Sequence, residues 1–126
     1  MPTYSILVAD DEPDLRTLIR LTLERDGNRV VCVPDGKKAS EALRREKFDL
    51  LFTDVLMPER DGLELIAEVR SKYPAVRIVV MTSGGQVSPE DYLFIAKRLG
   101  AHVQLTKPFN TKDIATAAAA AMAPQA

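Results

Sequence analysis

The chain has 126 residues, enough for one sizeable core, and reads as a single domain over 1–126. Apolar residues at 46% against 28% charged give an ordinary globular balance, and a net charge of −1 leaves no basic field for nucleic acid and no polybasic arm for anionic lipid. One cysteine, Cys32, excludes an intrachain disulfide; the start MPTYSILVADDE lacks a secretory n-region and no apolar run reaches membrane-spanning length, so a cytoplasmic location is expected.

Residues 4–9 (YSILVA) have strand character. Pro13 suits a first helical position, and 15–26 carry apolar residues at helical spacing up to Gly27. A second strand is predicted over 29–33, with Cys32 as a buried structural thiol. Asp35 caps a helix over 37–47 whose RREK end is a solvated face. A third strand covers 48–53. Asp61, with Glu64 three residues on, caps a helix over 63–73 that Pro74 stops. The fourth strand covers 77–83. Ser88-Pro89-Glu90-Asp91 starts a fourth helix that ends at Gly100. A fifth strand covers 102–106, and Asn110 or Thr111 opens an alanine-rich last helix.

Five strand–helix units in alternation imply an α/β fold with a five-stranded parallel sheet and helices on both faces. The near-continuous apolar strands agree with burial on both sides. In such a sheet, function sits at the carboxyl ends of the strands. For the order 2-1-3-4-5 the switch point lies between strands 1 and 3. Strand 1 leaves into Asp10-Asp11-Glu12, strand 3 into Asp54, strand 4 into Thr82-Ser83-Gly84-Gly85, and strand 5 into Thr106-Lys107-Pro108. Carboxylates packed this closely need compensation, which a hard, oxygen-preferring cation such as Mg²⁺ provides. Lys107 adds a point charge suited to a phosphoryl oxygen. An aspartate so held can attack phosphorus.

The acid pair at 10–11, Asp54 followed by Met57-Pro58 and Asp61-Gly62, a hydroxyl ending strand 4, and Lys107-Pro108-Phe109 together resemble the receiver domain of two-component response regulators. The resemblance covers essentially the whole chain and implies a flavodoxin-like, doubly wound, CheY-like fold. It implies that Asp54 accepts a phosphoryl group from a sensor histidine kinase or phosphotransfer protein. Asp11, Asp54 and the backbone carbonyl of Leu56 would hold Mg²⁺, with Asp10 acting mainly through water. Lys107 would clamp the phosphoryl group, and the Lys107–Pro108 bond would be cis. Ser83 would be the switch hydroxyl, with Thr82 the runner-up; strand alternation alone does not decide between them. The downstream target would bind the surface of helix 4, strand 5 and helix 5. Such a domain is a phosphoacceptor that assists its own phosphorylation and dephosphorylation rather than an enzyme.

Gln104 departs from the pattern. The family carries an aromatic there that turns inward during the switch, and a polar amide resists burial unless hydrogen-bonded. No output domain follows the last helix, so the chain reads as a stand-alone receiver or as a piece of a longer regulator or hybrid kinase. The main competing function is a non-phosphorylated pseudo-receiver acting as an interaction module, against which the intact acid pair, Asp54, Ser83 and Lys107 argue. A nucleotide-binding fold would place glycines after strand 1, where this chain has ADDEPD. A dehalogenase-like phosphatase would place a second Asp at 56, where this chain has Leu56. An EF-hand needs alternating oxygen ligands that DVLMPERDG lacks. His102, the lone histidine, lies on the order of 16 Å of strand from the cleft and reads as structural.

Overall fold

A computed structural model describes residues 3–55, 62–82, 94, 97, 98 and 100–124. Along the chain it shows β1 (Ser5–Ala9), α1 (Pro13–Arg25), β2 (Arg29–Val33), α2 (Gly36–Arg45), β3 (Leu50–Asp54), α3 (Gly62–Lys72), β4 (Arg77–Thr82), β5 (Val103–Thr106) and α4 (Thr111–Met122). The strands form one parallel sheet in the order β2-β1-β3-β4-β5, as expected from the sequence. Four helices lie among the described residues. Of the helix predicted over 88–99 only Phe94, Lys97 and Arg98 are described, each helical.

The predicted helix starts have physical causes visible here. Pro13 stands at the first turn of α1, where its missing N–H leaves nothing unpaired. The Asp35 side chain accepts the Lys38 N–H at 2.8 Å and caps α2. Asn110, rather than Thr111, is the cap of α4: its side chain accepts the Asp113 N–H, and Asp113 accepts the Asn110 N–H in return. Asp61 lies outside the described residues. Gly27 and Gly100 take φ of 93° and 112°, which stops their helices with a conformation other residues avoid.

Some boundaries shift. α2 ends at Arg45 because Glu46 turns extended, two residues before the predicted stop. β3 begins at Leu50 and includes Asp54, whereas 48–53 was expected. Phe48 packs into the core from outside the ladder, and Asp49 turns its carboxylate to the Ser5 N–H.

The sheet separates two cores. On one face Leu7, Ala9, Leu51, Val55, Ile78 and Val80 pack on α2 and α3. On the other, Ile6, Val8, Leu50, Phe52, Val79 and Met81 pack on α1 and α4. Alternation along each strand assigns the residues that follow to one face or the other, and this is what positions the site.

Candidate phosphoacceptor site

Asp10 continues β1 two residues beyond Val8, and Asp54 ends β3 two residues beyond Phe52. Lys107 follows β5 two residues beyond Leu105, so all three share the α1/α4 face. The β1–β3 register pairs Ala9 with Thr53, which sets Asp10 level with Asp54. Backbone bonds carry the ladders one step further. The Asp10 N–H donates to the Val33 carbonyl at 3.2 Å and the Lys107 N–H to the Thr82 carbonyl at 2.7 Å.

β5 is two strands from β3, a gap of roughly 10 Å that a lysine side chain can bridge. The Lys107 ammonium lies 2.7 Å from Asp54 Oδ2, 3.1 Å from Asp10 Oδ2 and 3.5 Å from Glu12 Oε1. Asp10 is fully buried and Asp54 is 6% exposed, whereas Glu12 is open to solvent. The free Asp10 oxygen accepts the Glu12 N–H at 2.8 Å, and Arg16 holds the Asp10 carbonyl at 2.8 Å.

Electrostatics pull the two partners unequally. Burial pushes the Asp10 carboxyl up to about 6; the Glu12 N–H and Lys107 oppose this, and the charge on Asp54 adds to it. Burial alone would lower the Lys107 ammonium. The hydrogen bond and charge of Asp54, joined by Asp10, outweigh it and hold Lys107 above its ordinary value. Lys107 therefore stays protonated.

Asp10, Asp11 and Glu12 bring one carboxylate oxygen each within 4.8 Å of one another. An all-oxygen, anionic donor set of this kind suits Mg²⁺. Asp54 is not a member of that trio; Lys107 links it to Asp10 and Glu12. Leu56, Ser83 and the Met57-Pro58 pair lie outside the described residues. The Lys107–Pro108 bond is cis.

Thr82 is buried at 1% exposure at the end of β4, where its carbonyl accepts the Lys107 N–H. Gln104 pairs with Val80 and is exposed on β5. Glu12, at the N-cap position of α1 without a side-chain cap bond, adds its charge to the cleft by facing Lys107. One contribution escaped the sequence reading. Gly62 packs against the Asp54 carbonyl, where a Cβ would collide. Its N–H also donates to the Val55 carbonyl at 2.8 Å.

A sheet of this order, with an acid pair, an aspartate and a lysine meeting at its carboxyl edge, defines a doubly wound α/β protein with an anionic pocket at the switch point. A family model described as the response regulator receiver domain matches residues 6–119, and the chain belongs to that family. Among solved structures it resembles the chemotaxis response regulator CheY4 of Vibrio cholerae, with 30% identity and a TM-score of 0.81, covering 91% of this chain and 95% of that one. It also resembles NtrX from Brucella abortus, with 28% identity and a TM-score of 0.88, covering 96% of this chain but only 28% of that one. A receiver domain protein from Clostridium thermocellum matches at 28% identity and a TM-score of 0.81, covering 90% of this chain and 89% of that one. No helix among the described residues is long and apolar enough to cross a membrane.

Proposed function

We propose that this chain is a cytoplasmic phosphoacceptor of a two-component or phosphorelay system, with Asp54 as the accepting residue. The supporting observation is the 2.7 Å approach of Lys107 to Asp54 on the face that also carries Asp10. A carboxylate oxygen of Asp54 attacks the phosphorus of a phosphohistidine on a sensor kinase or phosphotransfer protein. The new P–O bond forms as the P–N bond breaks, and its electron pair stays on the histidine nitrogen. Lys107, already protonated and aimed at Asp54, then meets a phosphoryl oxygen. Its tie to Asp10 and Glu12 keeps the ammonium in place while Asp54 changes partner.

Asp10, Asp11, Asp54 and the Leu56 carbonyl are the proposed Mg²⁺ holders, and Glu12 fits the same donor set. A bound Mg²⁺ would offset the negative charge of the acids and of the transferring group. Ser83 is the proposed switch hydroxyl, with Thr82 the runner-up. The downstream target is a protein that reads the surface containing β5 and α4.

Beryllofluoride binding tests this reading against a pseudo-receiver. In the proposed case, amide resonances of Asp54, Lys107 and their neighbours shift when beryllofluoride and Mg²⁺ are added together, and not with either alone. Spectra unchanged by the pair of reagents would leave only the interaction-module reading.

A further inference from the structure

A cavity of about 660 Å³ opens at the amino-terminal edge of the sheet, the end away from Asp54, between the α2–β3 and α3–β4 connections. That volume is in the range of ligand pockets, ~300–1,000 Å³. Its floor is apolar: Leu43, Phe48 and Val76 are buried beneath it and Tyr73 forms a half-buried wall. Its rim is cationic, with Arg44, Arg45 and Lys47 all exposed.

Among the described residues, no carboxylate lies within ion-pair distance of those three side chains. The two acids of the wall are engaged elsewhere. Glu46 pairs with Arg29 at 2.5 Å, and Asp49 accepts the Ser5 N–H at 2.8 Å. Arg44 and Arg45 also complement the negative end of α2, but Lys47 lies beyond the helix and gains little from it. A greasy floor under unpaired cations is complementary to carboxylates that flank one large apolar side chain.

We propose that this cavity docks an acidic peptide segment of a partner protein. An aromatic or aliphatic anchor sits against Phe48 and Tyr73, and its neighbouring carboxylates meet Arg44, Arg45 and Lys47. The site is at the other end of the sheet from Asp54, so both can be occupied at once. It offers a second contact to a partner, independent of the phosphoryl group.

The test is an NMR titration of the full, isotope-labelled chain with the blocked peptide Glu-Asp-Phe-Asp-Glu. Amide shifts are expected at 43–49 and 73–76. Affinity should fall by about tenfold or more in the Arg44→Glu/Arg45→Glu variant, a change of ~1.4 kcal/mol, and should weaken in about 0.5 M salt. It should survive Asp54→Asn unchanged. An all-lysine counterpart of the peptide that shifts the same amides equally would overturn the proposal. So would shifts absent from the cavity, or no peptide binding alongside Arg44/Arg45-dependent sedimentation with phosphatidylglycerol vesicles.

Discussion

A Cβ at Gly62 would meet the backbone of Asp54 and Val55, atoms that have no flexible side chain to move aside. Gly62→Ala should therefore destabilise the protein by ~1–3 kcal/mol through overpacking and displace Asp54 from Lys107. Phosphorylation from a small donor should slow by on the order of tenfold to a hundredfold, because small misplacements of reacting groups are expensive. Denaturant unfolding and labelling rates measure the two effects; wild-type values for both would contradict the packing argument. His102 illustrates the opposite case, a residue whose structural role was legible. Its Nδ1 accepts the Ile78 N–H at 3.0 Å and its own N–H reaches the Ile78 carbonyl at 2.8 Å, bringing β5 alongside β4. Burial lowers its pKa from 6.5, and the charges of Arg70 and Arg77 lower it further. Because the folded pKa lies below the unfolded one, this stabilisation is present above about 6.5 and is lost as pH falls through the folded value. Asp10, pushed up to about 6, contributes a slope of opposite sign: its share is present at low pH and lost as pH rises through about 6. The difference between wild type and His102→Ala isolates the histidine. That difference should be largest above pH ~7 and shrink toward pH ~5. A difference independent of pH would show that His102 titrates as it does in the unfolded chain.

The elements were legible where a cap or a stop is written in consecutive residues. Asp35, Pro13, Gly27 and Gly100 each act locally, and Asn110 closes a complete capping box with Asp113. The end of α4 depends on a long-range partner. Its last turn carries no basic residue, yet Arg77 at the start of β4 donates to the Ala121 and Ala123 carbonyls at 3.0 and 3.1 Å. Nothing in the alanine run itself signals that contact. Arg77→Ala should leave those carbonyls to water and destabilise the fold by ~1 kcal/mol. Hydrogen exchange in the last turn of α4 should rise more than elsewhere; uniform protection loss would argue against a capping role. The strand ends follow the same division. Asp10 and Asp54 are placed by alternation and register, which sequence can suggest. Alternation along β4 does not choose between Ser83 and Thr82 at its end.

At the scale of the molecule, alternating strands and helices specified the topology, and the acids and lysine at the strand ends specified the pocket. What the sequence could not specify was the packing of Gly62 against Asp54, because it is a contact between separate segments. Gln104 is exposed beside Val80, so its amide stays out of the core. In the proposed function, the phosphoryl signal leaves Asp54 through Lys107 into β5 and α4. Beryllofluoride should therefore move amides along Val103–Thr106 and Thr111–Met122 as well as near Asp54; shifts confined to the immediate pocket would contradict that route. Phosphate incorporation tests the central claim most directly. With acetyl phosphate and Mg²⁺, the wild-type chain should acquire hydroxylamine-labile phosphate, and Asp54→Asn should acquire none, since an amide is not a usable nucleophile at this position. Undiminished labelling of the Asp54→Asn chain, or no labelling of the wild type, would contradict the assignment of Asp54 as the phosphoacceptor.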